Sequence, residues 1–293
     1  MAGILSGLAR FGLGKLENME LYEEPKKAEK GARSNNSNVS SPAPAPVMQE
    51  QDYLYDKSCT CPICDKEFKT KTVRVGKAKL AGSDPDLRPR YEQIDLLKYD
   101  VMMCPFCGYA ALSRFFKFVT APQAQNIKKM ISENFEPQKE KKEIYTYDEA
   151  LERYKLALAN AVVKQAKTSE KAYICLKTAW LLRGKAEHLD KNLPDYEEQK
   201  KKCEEEENEF LHNALDGFIA ARQSESFPMC GMDEPTVDYL IAATAVRFEQ
   251  YDVASRLIAS ILQSAANPRT KDKARDLKEM MVAKIKEKGA AKK

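Results

Sequence analysis

From Tyr147 onward apolar residues return every three to four positions, the period of a helix with one buried face. Tyr147, Ala150, Tyr154 and Ala157 stand at offsets 0, 3, 7 and 10. The same offsets recur as Leu211, Ala214, Phe218 and Ala221, and again as Tyr251, Ala254, Ile258 and Ile261. A large residue that opens a helix, followed by a small one that lets a neighbour approach, is the pattern of the second helix of a tetratricopeptide repeat. Residues 169–184 and 236–250 are the candidate first helices. The starts of the three second helices are 64 and then 40 residues apart, so the repeats are irregular. Residues 195–209, with Lys200-Lys-Lys-Cys203-Glu-Glu-Glu-Glu207, read as an inserted, solvated helical extension. The pattern predicts a tetratricopeptide-like helical domain over 123–283 and a basic, frayed tail over 284–293.

Upstream the period changes. Residues 70–75 alternate with period two and predict a strand; residues 97–103 predict a second. Residues 82–89, with Asp84-Pro85-Asp86, read as a loop. Residues 109–119 are apolar enough to begin a covering helix. These elements make a module over 51–122. Before it, residues 25–50 are charged and then rich in Ser, Asn and Pro, which predicts a disordered linker. Residues 1–24 place Ile4, Leu5, Leu8, Phe11, Leu16 and Met19 at helical spacing, weakened by Gly3, Gly7, Gly12 and Gly14. A frayed amphipathic helix packed on the body is expected; the alternative is a segment that docks on a partner or a membrane surface.

Charge and composition narrow the class. Forty-eight Lys and Arg against 44 Asp and Glu give +4 over 293 residues, too little by itself to imply nucleic acid. No apolar run reaches the roughly 18 residues a membrane span needs. The first residues lack the basic region of a signal peptide, and Ala2 stands where myristoylation requires Gly. A cytoplasmic protein is expected. In a reducing compartment the eight cysteines read as metal ligands and buried thiols rather than disulfides.

Four of them form two matching knuckles, Cys61-Pro62-Ile63-Cys64 and Cys104-Pro105-Phe106-Cys107-Gly108. Two residues between cysteines let both thiolates reach one ion at about 2.3 Å. Pro presets a turn after the first thiolate. Gly108 permits positive φ after the second, and Asp65, in the matching place, is among the few residues that tolerate it. Together the pairs predict one structural zinc ion held by Cys61, Cys64, Cys104 and Cys107. A catalytic zinc would keep a position open, usually with His among its ligands, and His188 and His212 lie outside the module. Cys-Pro-Phe-Cys also resembles a glutaredoxin active site, but that reading leaves the upstream pair unexplained. Cys59 reads as a spare ligand or an exposed thiol, and Cys175 as a small core residue.

Lys66, Lys69, Lys71, Arg74, Lys77 and Lys79 give the first hairpin a basic stripe around Phe68. Zinc ribbons with such hairpins sometimes hold nucleic acid. Over 57–122, 12 Lys and Arg face 7 Asp and Glu, and four thiolates on a divalent ion reduce that excess, which leaves a modest field. Trp180 reads as core. No phosphate loop, nucleophile elbow or His-Glu-x-x-His is present, and no catalytic or cofactor-binding residue is assigned.

Four stretches carry a resemblance. They are Cys61-Pro-Ile-Cys64; Asp84-Pro-Asp-Leu-Arg-Pro-Arg-Tyr91; Tyr99-Asp-Val-Met-Met-Cys104-Pro-Phe-Cys107-Gly-Tyr-Ala110; and residues 147–183, ending in Ala179-Trp-Leu-Leu-Arg183. By these the chain resembles the bacterial family catalogued as domain of unknown function 2225, over about 55–270. The resemblance implies a zinc-ribbon-like head with tetratricopeptide-type helices, and no activity.

The expected fold is α+β, mostly α: a small zinc-ribbon-like β module followed by tetratricopeptide-like helical hairpins. The expected function is that of an adaptor or scaffold presenting a helical-repeat surface to a protein or peptide, since stacked helix pairs leave an extended groove. The alternatives are nucleic-acid binding through the basic hairpin and a thiol redox or metal-dependent enzyme.

Overall fold

The computed structural model describes residues 3–17, 19, 49–74, 76–137 and 142–291. Three short antiparallel hairpins come first: β1 (Leu54–Thr60) with β2 (Glu67–Val73), β3 (Leu80–Ser83) with β4 (Pro89–Tyr91), and β5 (Val101–Met103) with β6 (Ala110–Leu112). Helices follow: α1 (Ala121–Ile127), α2 (Tyr147–Val163), α3 (Thr168–Glu187), α4 (Tyr196–Ser224), α5 (Glu234–Arg247), α6 (Tyr251–Gln263) and α7 (Pro268–Ala291). The fold is α+β and mostly α.

Local signals fix the helix ends. Thr146 and Glu149 form a capping box at the start of α2, each side chain accepting from the other's backbone N–H. Asp233 caps α5 by accepting from Thr236 N at 3.0 Å. The turns from α2 to α3 and from α5 to α6 share one design. Gln165 and Glu249 adopt φ 52° and 62°. The next residues, Ala166 and Gln250, donate back to Ala161 O and Ala245 O at 2.8 Å. This is the helix stop that glycine usually supplies.

Consecutive helices from α2 to α7 pack on one another, and α5 also packs on α7. Of the twelve residues at the repeated offsets, all but Tyr147 and Tyr251 are buried. Ala150, Ala214 and Ala254 are no more than 1 % exposed. β5 and β6 lie on α2, so one apolar core joins the hairpins (Ile63, Val101, Leu112) to the helices (Tyr154, Leu181, Phe210, Ile241, Leu277).

The chain departs from the sequence reading in several places. Residues 97–103 begin as a 3-10 turn, Leu96–Tyr99, because Asp95 Oδ1 accepts from Leu97 N and starts a helical turn; only Val101–Met103 is strand. Residues 109–119 do not open a helix. Cys104 N donates to Tyr109 O at 2.8 Å, which returns the chain as β6 against β5. At the N-terminus two 3-10 turns, Leu8–Phe11 and Gly14–Leu16, replace the expected helix, since Gly7 and Gly12 sit at φ 89° and 78°. Leu5, Leu8, Phe11, Leu13 and Leu16 are all buried in the core. Phe11 stacks on Phe135, with ring centroids 5.9 Å apart. The charged run of residues 195–209 is the first half of α4, solvated except that Cys203 and Glu207 turn inward. Lys284, Lys286 and Lys288, read as part of a tail, belong to α7. The linker expected over 25–50 lies outside the described residues, save residues 49 and 50.

Candidate metal centre

The tips of two hairpins build the site. Between β1 and β2, and between β5 and β6, stand loops of equal length that open on Cys61 and Cys104. Cys61 N donates to Lys66 O at 3.1 Å, and Asp65 N to Cys61 O at 3.0 Å. In the second loop Cys104 N donates to Tyr109 O at 2.8 Å, and Gly108 N to Cys104 O at 3.1 Å. Asp65 and Gly108 take φ 58° and 71°, as the knuckle geometry requires. A side chain at Gly108 would collide with Phe135, its Cβ falling 2.4 Å from Cδ2.

The four sulfurs meet between these tips, all within 4.8 Å of one another. Cys61 Sγ lies 3.6 Å from Cys107 Sγ, and Cys64 Sγ 3.7 Å from Cys104 Sγ. A tetrahedron of metal–sulfur bonds near 2.3 Å has edges of about 3.8 Å, so the spacing suits one ion. Four sulfurs this close do not all ionise by themselves. Hydrogen bonds from Cys107 and Cys61 pull the Cys104 thiol down to about 2. The bond to Cys104 pushes Cys61 up to about 12, and raises Cys107 as well. A cation among the sulfurs removes that conflict. Cys61 and Cys104 are fully buried, and Cys64 is the half-exposed rim. Tyr109, under the site, donates to Phe116 O at 3.0 Å. Asn160 of α2 donates to Gly108 O at 3.0 Å, tying the second knuckle to the helices.

The other cysteines stay apart. Cys59 lies in β1 opposite Phe68, outside the cluster. Cys175 is buried in the core as expected, and none of the eight cysteines is in a disulfide. Cys-Pro-Phe-Cys sits at the tip of a hairpin, not between a strand and a helix as in a redox active site. The basic stripe is partly consumed. Lys71 is buried against Asp56 (3.1 Å) and Glu143 (3.3 Å). Phe68 is buried edge-on against Phe116, unavailable for stacking on a base.

A second constellation was not visible along the chain. The loop between β3 and β4 lies over α3 and α5, bringing together two of the stretches that carry the resemblance. Trp180 Nε1 donates to Asp86 Oδ2 at 3.0 Å. Arg183 bridges Asp84 (3.0 Å), Asp86 (2.7 Å) and the buried Glu207 of α4 (2.8 Å), to which Arg247 of α5 also donates. Tyr239 donates to Pro85 O at 2.7 Å, and Lys273 of α7 to Ser83 Oγ at 3.1 Å. Beneath the loop the buried Arg88 lies 3.1 Å from Glu187 and 3.8 Å from Asp95. Gly184 makes room for them, since a Cβ there would stand 2.7 Å from Asp95 Oδ2. Beside Asp86 a cavity of about 200 Å³ opens between α4, α5 and α7.

A four-cysteine cluster able to hold a metal ion, set on paired β-hairpins and sharing its core with a run of consecutively packed helices, defines the class of the protein. The chain belongs to the bacterial family described as uncharacterized protein conserved in bacteria, domain of unknown function 2225, which it matches over residues 54–281. No curated protein and no solved structure matches it. No helix among the described residues is long and apolar enough to cross a membrane.

Proposed function

We propose that this is a zinc-stabilised cytoplasmic adaptor that holds a protein or peptide on the face formed by α3, α5 and α7. The four-sulfur set suits Zn²⁺ in a closed, structural role, with Cys61, Cys64, Cys104 and Cys107 as its ligands. Eight cysteines without a disulfide among them support a reducing compartment. The observation that carries the reading is the chain's own loop. Trp180, Arg183, Tyr239 and Lys273 already grip residues 83–86, the acidic turn of the β3–β4 hairpin, by its carboxylates, a hydroxyl and a backbone carbonyl. A helical face that holds one such segment in cis has the chemistry to hold another in trans. Beside it Leu211, Val246, Leu277 and Met280 line the cavity, and Arg247 and Lys284 stand with them. An apolar side chain next to an acidic one would fit there.

Metal analysis of freshly purified protein should give one zinc per chain; a metal-free protein with an intact fold counts against the site. A photo-crosslinker placed at Met280, which is 39 % exposed, should capture a discrete protein from the native cell. Lys284→Glu should diminish that capture. If the crosslinker at 280 catches nothing while one at Lys69 captures nucleic acid, the adaptor reading gives way to the basic hairpin.

A further inference from the structure

A cleft of about 350 Å³ opens between the β1–β2 hairpin, the second knuckle and α2, on the side of the molecule that the adaptor reading does not use. That is the size of a site for a small organic molecule. Phe11, Phe68 and Tyr145 form apolar walls. The acids of the cleft are all engaged: Asp56 with Lys71, Glu149 with Lys142, and Glu152 with Arg10.

Two groups keep unused hydrogen-bonding capacity: among the described residues Thr70 Oγ1 has no partner, and Arg153 bonds only Tyr145. Arg153 makes no ion pair with a carboxylate among the described residues; its guanidinium lies over the Tyr145 ring, 3.9 Å from the centroid. Burial holds its pKa below the usual guanidinium range, against the pull of Tyr145 and Glu149. Thr70 is 3 % exposed, and its Oγ1 has no hydrogen-bond partner. A buried hydroxyl without a partner costs stability unless a ligand completes it, and a half-sheltered guanidinium with no carboxylate bonded to it has N–H groups left to donate. Both lie on one cleft, beside the exposed Lys69.

We propose that this cleft binds a small organic anion, its carboxylate or phosphate head accepting from Arg153 and Thr70 and its apolar body lying against the exposed ring of Phe106. The guanidinium fork suits two oxygens of either head.

The test is calorimetric and NMR titration of the full-length, metal-loaded protein with phenyl phosphate, benzoate, inorganic phosphate and benzyl alcohol. Phenyl phosphate or benzoate should bind at least roughly tenfold more tightly than benzyl alcohol, the order set by a charge-assisted hydrogen bond. Whichever of the two binds more tightly identifies the head. The amide signals that move should be those of Lys69, Thr70, Lys71 and Arg153. Arg153→Gln should weaken binding by roughly tenfold or more, and Thr70→Val severalfold. If Arg153→Gln does not fold, Thr70→Val and the mapped signals decide. The proposal is overturned if neither organic anion binds at millimolar concentration, if the shifted signals lie elsewhere, or if the variants bind like wild type. Inorganic phosphate binding as tightly as phenyl phosphate would overturn the role given to the Phe106 ring.

Discussion

Gly108→Ala tests how closely the second knuckle is built into the core. Two costs arise from the structure. The residue adopts φ 71°, where a side chain is disfavoured by about 1–2 kcal/mol. The added Cβ would stand 2.4 Å from Phe135 Cδ2 and 2.6 Å from its Cγ. Phe135 cannot swing away freely, because Phe11 stacks on it at 13° between ring planes. Overpacking of this kind costs about 1–3 kcal/mol. The sum is about 2–5 kcal/mol. Gly76 provides the control: it sits at φ 82° with nothing within 4 Å of a built Cβ, so Gly76→Ala should show the backbone cost alone. Urea melts at fixed free zinc should place Gly108→Ala about 2 kcal/mol below Gly76→Ala, roughly thirtyfold in the folding constant. Adding Phe11→Ala gives Phe135 room, so the double variant should lose less than the sum of the singles. Equal losses for Gly108→Ala and Gly76→Ala, or strict additivity with Phe11→Ala, would refute the reasoning.

Three further outcomes follow from the packing and the charges. Ala214→Leu should cost about 1–3 kcal/mol in a denaturant melt, whereas Ala220→Leu, on the exposed face of the same helix, should cost little; equal losses would mean that α4 makes no close approach at 214. Ala159 cannot serve as the mild comparison, because it is fully buried. Arg183→Met should destabilise by about 3–5 kcal/mol, since it strands Asp86 and part of the charge on Asp84 and Glu207; a neutral effect in thermal melts would show the cluster to be dispensable for stability. Burial pushes the Asp100 carboxyl up, but Lys177 and Ser113 more than offset this and hold it below the usual carboxylate range. Its contribution is therefore complete above its unfolded value of about 4 and is lost as pH falls through the lower folded value. Asp100→Asn should accordingly be less stable than wild type at neutral pH, and the two should converge in acid; parallel curves from pH 7 to pH 2 would contradict the assignment.

The knuckles were legible because their chemistry is local. Two thiolates, a Pro and a residue able to take positive φ all lie within five positions, so Asp65 and Gly108 could be placed before any contact was known. The helical faces were legible for the same reason, and their repeated small residues are buried. What escaped were elements decided by distant partners. The Asp84–Arg183 and Asp86–Trp180 contacts join residues more than ninety positions apart, and no spacing along the chain points from one to the other. Glu207 looked like one acid in a solvated run and is instead buried between two arginines. The apolar stretch after Gly108 suits either a helix or a strand, and the backbone bond from Cys104 to Tyr109 decided for a strand. The N-terminal glycines weakened the helix reading and, through positive φ, set the turns that replaced it.

The two hairpins whose cysteines could share an ion are separated by the 39 residues between Cys64 and Cys104, and the acidic loop gripped by α3, α5 and α7 lies inside that stretch. A metal ion that joined both ends would therefore act as a tether as well as a brace. Closing a loop of that length removes about 4 kcal/mol of chain entropy by the relation used for covalent cross-links. With its ends tied, the segment has far fewer conformations to lose when Asp84 and Asp86 dock on Arg183 and Trp180. Withdrawing the ion would raise the entropic cost of that docking at a place remote from any sulfur, so the occupancy of the thiolate cluster would be felt as a shift in how firmly the loop covers the helical face.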